Sequence, residues 1–219
     1  MNVLAIDTAT ALTSVALLGG AGELEAADTP PPGSRGRHAE TVLALARLLL
    51  ERAACDWREL DLVAAGTGPG GYTGLRIGLA TARGVARAAG APLAGVGTLR
   101  ALAAPLRGQT ALALIDARRG ELFAAAYRDD VEVLAPSVIA PAQLAGLLPA
   151  GATAIGDAAL AHREQLERAG HSVAPTDSPL HRVSALAICR IAAAGEGGPP
   201  APLYLRRPDA ELNLERGPG

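Results

Sequence analysis

Two short acidic segments contain the residues best suited to bind a phosphate. The first, Asp7-Thr8-Ala9-Thr10, joins two apolar stretches that are predicted to form a hairpin. The Asp and the backbone N–H groups of such a loop can hold a phosphate and its metal. Asp116 begins a matching segment, DARRG, in the second half of the chain. The alternative, turn residues that hydrogen-bond their own backbone, stays open for both segments.

A glycine-rich loop, TGPGGYTG at 67–74, follows a predicted buried strand and opens a long helix. Its glycines formally match the dinucleotide fingerprint, in which glycines let the backbone approach a pyrophosphate. The fingerprint also needs an acidic residue about 20 residues further on, and no Asp or Glu occurs between Leu62 and Ile115. A P-loop needs a Lys, and the chain contains none. We therefore predict that the loop sets the entry angle of a packed helix.

The remaining reactive residue types form no local motif. The histidines are scattered and the cysteines isolated, at His38, His162, His171, His181, Cys55 and Cys189. No metal site and no disulfide framework are expected, and the latter is typical of a reducing compartment. The N-terminal MNVLAIDTAT lacks the features of a signal peptide, and no apolar run reaches the length of a membrane span. We expect a cytoplasmic protein without membrane contact.

The charge of the chain argues against autonomous RNA binding. All 20 basic residues are Arg, and they are offset by 22 acidic residues, which gives a formal net charge of −2. Proteins that bind nucleic acid alone use a basic surface to displace counterions. No basic tract is evident, so tight binding to tRNA by this chain alone is not expected.

The predicted elements indicate an α/β protein with an internal duplication. Strands are expected near 3–6, 13–18, 23–28, 62–66 and 93–96, with long helices at 38–54 and 73–89. Residues 111–116 resemble residues 2–7, which places Asp116 at an offset of 109 residues from Asp7. Two β-rich halves with interspersed helices favour two lobes of about 100 residues each.

The two long helices are candidates for a subunit interface. The helix at 38–54 is apolar on more faces than one core contact requires. The helix at 73–89 has small residues at four-residue steps from Gly74 to Ala86, beside a stripe of arginines. Packing against the chain's own sheet is the alternative for this ladder. The predicted interface comprises Val42, Leu45, Leu49, Tyr72, Thr73, Arg76, Gly78, Leu79, Ala82, Arg83 and Ala86.

Several motifs together resemble one family, the bacterial tRNA threonylcarbamoyladenosine biosynthesis protein TsaB, formerly YeaZ. They are IDTAT at 6–10, His38, GPGGYTGLRIG at 68–78, GVGTL at 95–99, DARRGELF at 116–123 and PLYLR at 202–206. The resemblance implies an actin/hexokinase/Hsp70-like (ASKHA) fold with two related lobes. We expect the lobes at 1–103 and 104–219, with the C-terminal helix and tail packing back on the first lobe.

The resemblance also implies a role as a non-catalytic dimerisation subunit. The expected partner is the catalytic subunit TsaD, which transfers threonylcarbamoyl to the adenosine beside the anticodon of tRNAs that read codons beginning with A. TsaE, a homodimer of the isolated chain, and tRNA contact only through the complex are further expectations. No intrinsic cofactor is expected, although weak ATP or ADP binding in the complex would fit the fold. Thr98 and Leu102 align with the metal-binding histidines of TsaD, and neither side chain replaces them. The alternative function is an actin-fold ATPase or small-molecule kinase that uses Asp7 and Asp116.

Overall fold

The structure, a computed structural model, describes residues 1–31 and 36–206 of the 219-residue chain. It contains two five-stranded mixed sheets. The first sheet is built from β1 Val3–Asp7, β2 Thr13–Gly19, β3 Gly22–Asp28, β4 Leu62–Gly66 and β5 Leu93–Val96. The second sheet is built from β6 Thr110–Arg118, β7 Glu121–Arg128, β8 Val131–Ile139, β9 Thr153–Ile155 and β10 Ser172–Val173.

The two sheets have the same topology. Their strand orders are β3-β2-β1-β4-β5 and β8-β7-β6-β9-β10, so each strand of the first sheet has a counterpart in the second. In both sheets the first two strands form an antiparallel hairpin, and the first strand pairs in parallel with the fourth. The predicted duplication is confirmed, because the offset of 109 residues superimposes β1 on β6.

Six α-helices are described, and they divide the molecule into layers: α1 His38–Arg52, α2 Tyr72–Ala89, α3 Thr98–Ala103, α4 Asp157–Ala161, α5 Arg163–Arg168 and α6 Ala185–Ala193. One core cluster lies between α1, α2 and the outer face of the first sheet, and another lies between α4, α5 and the outer face of the second. A third cluster joins the inner faces of both sheets through α3 and α6. The lobes therefore share one central layer.

Burial on both faces explains the composition of the central strands. All five residues of β1 are buried, because helices cover both sides of the sheet. With few aromatic residues in the chain, Ala, Val and Leu fill these faces and allow helices and sheets to approach closely.

Carboxylates on β3 hold α6 against the first sheet. Ser184 caps the helix, and its hydroxyl donates to Glu25 Oε1 across 2.9 Å. The N–H of Leu186 donates to the same oxygen across 3.2 Å. In the last turn of α6, Arg190 forms an ion pair with Glu23. Anions at the N-terminus and cations at the C-terminus of a helix are both favourable.

The second lobe departs from the sequence predictions in three places. The predicted helix at 141–148 is a 3₁₀-helix, Pro141–Gly146, and the predicted helix at 158–169 is divided into α4 and α5 at His162. Strand β8 was not predicted because it contains Pro136, which argues against a central strand. β8 is an edge strand with an irregular register against β7, and an edge tolerates a proline. The predicted tail beyond Arg206 lies outside the described residues.

Candidate functional site

The side chain of Asp7 is sealed inside the first lobe. Asp7 is 1% exposed, and its Oδ1 accepts the N–H of Ala9 across 3.0 Å. Its Oδ2 accepts the hydroxyl of Thr98 across 2.9 Å. The Thr98 oxygen in turn accepts the N–H of Gly68 across 3.1 Å. Burial raises the pKa of Asp7 to about 6, although its hydrogen bonds to Ala9 and Thr98 oppose the shift.

The glycine-rich loop encloses the loop that follows Asp7. The N–H of Gly71 donates to the carbonyl of Ala9 across 2.7 Å, and the Thr8 hydroxyl donates to the carbonyl of Gly74 across 2.7 Å. A Cβ at Gly70 or Gly74 would overlap the backbone of this loop, and one at Gly78 would overlap the Thr8 hydroxyl. The predicted function of the loop as a structural entry to a helix agrees with these contacts.

A cleft of about 600 Å³ lies between the lobes. Three of the four predicted phosphate-binding candidates, Thr8, Thr10 and Asp116, line its walls. Asp7 is not among the lining residues, because its carboxylate is turned away toward Thr98. The cleft is also lined by His38, Arg118 and Asp157 and by the first turn of α2.

Asp116 repeats the backbone contact of Asp7 without its burial. Asp116 Oδ1 accepts the N–H of Arg118 across 2.7 Å, two residues ahead, just as Asp7 accepts from Ala9. Its side chain is 42% exposed and forms an ion pair with the Arg118 guanidinium at 3.2 Å. The Asp116 N–H donates to Asp157 Oδ1 across 3.0 Å, and burial raises the pKa of Asp157. Both acidic loops thus adopt the self-bonded turn geometry that the sequence left open.

His38 joins the start of α1 to the first sheet. Its Nδ1 lies 2.8 Å from the hydroxyl of Thr13, which is fully buried and also accepts a bond from the Thr41 hydroxyl across 3.2 Å. Burial lowers the pKa of His38, opposed by the charge of Asp28. A Cβ at Gly74 would lie 3.1 Å from His38 Nε2, so α1 and α2 begin side by side.

The predicted interface set is divided by burial. Six of its side chains belong to the chain's own core and are unavailable to a partner: Val42, Leu49, Gly78, Leu79, Ala82 and Ala86. The prediction that these six face a partner is wrong, because the small-residue ladder of α2 makes room for β1 and the loop after it. Leu45 and Tyr72 are partly buried, and Thr73, Arg76 and Arg83 are exposed. The exposed apolar residues of α1 are Leu43 and Leu48, at 51% and 37%.

Thr98 and Leu102 both lie in the interior. Thr98 has no exposed surface and links Asp7 to the glycine-rich loop. Leu102 is 1% exposed and packs in the central layer between the sheets. Within residues 1–31 and 36–206, no three His, Cys, Asp or Glu side chains are grouped closely enough to hold a metal ion.

A C-terminal strap, residues 198–206, crosses the first lobe and ends on the second. Gly198 pairs with Gly95 at the edge strand β5, with both N···O distances at 2.8 Å. The ring of Tyr204 lies 5.1 Å from that of Tyr72, and Arg76 donates to its hydroxyl across 3.0 Å. Arg206 then donates to the carbonyl of Ala117 across 2.8 Å. Except for the expectation that the tail packs back on the first lobe, the sequence analysis gave no sign of these contacts.

Two equivalent sheets, a shared central helical layer and paired acidic loops facing one cleft define the actin/hexokinase/Hsp70-like fold. The sequence pattern of the family described as TsaD, tRNA N6-adenosine threonylcarbamoyltransferase, matches residues 29–193. The chain therefore belongs to this family, in which it is a protein of the TsaB/YeaZ type.

Individual relatives agree with this assignment. An uncharacterized protein of Mycobacterium tuberculosis is 35% identical over 215 residues, which cover 96% of this chain and 94% of that protein. The tRNA threonylcarbamoyladenosine biosynthesis protein TsaB of Escherichia coli is 38% identical over 134 residues, or 59% of this chain and 56% of that protein. The structure of YeaZ from Pseudomonas aeruginosa has a TM-score of 0.75 at 27% identity, covering 93% of this chain and 99% of that one. Among the described residues, no helix combines the length and apolar character of a membrane span.

Proposed function

We propose that this chain is a non-catalytic subunit in the synthesis of N6-threonylcarbamoyladenosine in tRNA. It binds and supports TsaD, the catalytic subunit, which transfers threonylcarbamoyl to the adenosine adjacent to the anticodon of tRNAs that read codons beginning with A. The docking surface is formed by the exposed sides of α1 and α2. The chain contributes no cofactor of its own and meets tRNA only within the complex, which acts in the cytoplasm.

The state of Asp7 carries this proposal. An Asp at this position is the group that would hold a phosphate-bound metal, yet both of its oxygens accept hydrogen bonds from inside the lobe. Its pKa near 6 also shows that burial penalises the charged form. The interior positions of Thr98 and Leu102 support the same conclusion, since neither side chain reaches the cleft.

The exposed leucines of α1 support a docking role. Leu43 and Leu48 lie one and a half turns apart on the side of α1 that faces away from the core. Partner surfaces of subunits present apolar residues surrounded by polar ones. The related transferase is expected to have corresponding helices, because its family pattern covers both α1 and α2. A pseudo-symmetric contact of about 800 Å² per subunit is the geometry we expect.

Reconstitution tests the proposal. The chain, the TsaD subunit of the same organism and their mixture are each supplied with the threonylcarbamoyl donor and unmodified tRNA, with TsaE and ATP present throughout. We expect modified adenosine only when TsaD is present, and a large increase when this chain is added. Modification by this chain without TsaD, or no effect of this chain on TsaD, would overturn the proposal.

A second candidate, an actin-fold ATPase or small-molecule kinase, is favoured only by the cleft between the lobes. Thr8, Thr10 and Asp116 line a volume large enough for a nucleotide. Calorimetry with ATP and ADP on the isolated chain separates the two functions. Binding in the micromolar range with turnover that Asp116→Asn removes would support the kinase or ATPase.

A further inference from the structure

The exposed side of α2 has a charge of opposite sign to the whole chain. The helix contains Arg76, Arg83 and Arg87 but no Asp or Glu, so its formal charge is +3, whereas the chain has −2. In α1, two arginines are balanced by two glutamates, including the pair Arg47 and Glu51 at 2.6 Å. The proposed docking surface is therefore basic along α2 and neutral along α1.

The strap holds two of these arginines in place. Arg83 Nη2 donates to the carbonyl of Pro200 across 2.7 Å, and Arg76 Nε donates to the Tyr204 hydroxyl across 3.0 Å. The Arg76 guanidinium also stacks on the Tyr72 ring, 3.9 Å from its centroid. Tyr204 is 40% exposed and extends the surface beyond the helix. Guanidinium groups that are ordered before binding lose less entropy on association.

We propose that the arginines of α2, ordered by the strap, select a partner subunit with an acidic docking face over a second copy of this chain. This inference rests on the proposed function and names the chemistry by which the partner is chosen. A symmetric contact between two copies brings the same patch against itself. The arginines of one α2 would then oppose those of the other, and like charges facing each other across an interface are costly.

The position of the strap supports a role in discrimination. The match to the transferase family ends at residue 193, before the strap begins at Gly198. The strap thus adds to α2 a feature that the matched region does not contain. Tyr204 serves as a positioning residue, because it acts on the partner through Arg76 and through its own exposed ring.

Charge reversal at Arg87 tests the inference, with Arg128→Glu as the matched control. Arg87 and Arg128 are both exposed, and Arg128 lies on β7 in the other lobe. Binding to TsaD is measured by calorimetry and self-association by sedimentation. We expect Arg87→Glu to weaken binding to TsaD about tenfold. The same variant should tighten self-association, because it places a carboxylate against the arginines of the second copy. Arg128→Glu should change neither.

Salt and Tyr204 provide two further readouts. Raising the salt from about 0.05 to about 0.3 M should weaken binding to TsaD and strengthen self-association, since screening reduces both attraction and repulsion. Tyr204→Phe keeps the ring and removes the acceptor for Arg76, so we expect a several-fold weaker complex with an unchanged melting temperature. Tyr204→Ala should weaken it further.

The outcomes separate this inference from the proposed function. If the wild-type chain does not bind TsaD, the proposed function fails. If the wild type binds but Arg87→Glu changes the affinity less than twofold, the inference is overturned and the function stands. It is also overturned if Arg87→Glu weakens both associations equally, or if self-association is strongest at low salt.

Discussion

Asp7 and Asp116, 109 residues apart, accept the same backbone hydrogen bond from the residue two positions ahead, but only Asp7 is cut off from the cleft. The turns match in the two lobes because each lies between the first two strands of its sheet. Asp7 differs because α3 brings Thr98 to its second oxygen, whereas Asp116 is paired with Arg118 at the surface. Duplication thus preserved the turn while its chemical environment diverged.

The raised pKa of Asp7 makes stability depend on pH. An Asp has a pKa near 3.9 in an unfolded chain, and Asp7 has one of about 6 in the fold. The folded state therefore binds the proton more tightly, so stability falls as the pH rises from about 4 through 6. Asp7→Asn removes this loss and keeps an acceptor for the N–H of Ala9. We expect the variant to gain up to about 3 kcal/mol relative to wild type at pH 8, and nothing comparable at pH 4.

Urea unfolding of both proteins at several pH values measures this gain. The comparison cancels the titration of all other groups. A difference in stability that stays constant from pH 4 to pH 8 would show that Asp7 ionises in the fold as easily as in water.

Two glycines of α2 provide a matched pair for the packing of the helix. A Cβ at Gly78 would overlap the Thr8 hydroxyl, whereas a Cβ at Gly84 would meet nothing within 4 Å. We expect Gly78→Ala to destabilise the protein by about 1–3 kcal/mol through overpacking. Gly84→Ala should stabilise it by about 1 kcal/mol, because Ala favours the helix. Thermal melts of both variants check the order, and equal effects would contradict the packing of α2 against the Thr8 loop.

Burial also separates residues that hold α1 and α2 in place from residues that face a partner. Ala82 has no exposed surface, so Ala82→Arg should prevent folding by forcing a charge into the core. Leu43→Asp should fold normally and lose association with TsaD. Val131→Asp is the control for an exposed apolar residue, since Val131 is 65% exposed in the second lobe.

Circular dichroism and co-elution with TsaD distinguish these three variants. A folded Ala82→Arg would show that the helix can turn this face to solvent. Normal co-elution of Leu43→Asp would place the docking surface elsewhere.

His171 introduces a second dependence on pH. It is 3% exposed, and neither ring nitrogen has a hydrogen-bond partner among the described residues. Burial lowers its pKa in the fold, so the unfolded chain takes up the proton first and stability is lost as the pH falls below about 6.5. His171→Leu should stabilise the protein, and by more at pH 5.5 than at pH 8. Melting temperatures at these two pH values check the prediction, and a uniform shift would mean that His171 does not titrate.

The hairpins, the duplication and the packed glycine loop could be predicted because each depends on neighbouring residues. The face of α2 was assigned wrongly because the sequence does not say which helix or loop fills the space beside Gly78 and Ala82. The burial of Asp7 depends on Thr98, 91 residues away, and the stacking of Tyr204 depends on Arg76, 128 residues away. Contacts over such separations follow from the topology of both lobes together and leave no local pattern.

The pairing of Gly198 with Gly95 has a consequence for solubility. β5 is an outer strand of the first sheet, and outer strands present unpaired N–H and C=O groups that recruit strands from other molecules. The strap satisfies this edge from within the same chain, at a site where Gly95 leaves no room for a side chain beside the Pro199 carbonyl. The segment that orders the arginines of α2 is thus also a guard against aggregation, and any truncation before Gly198 would remove both functions together.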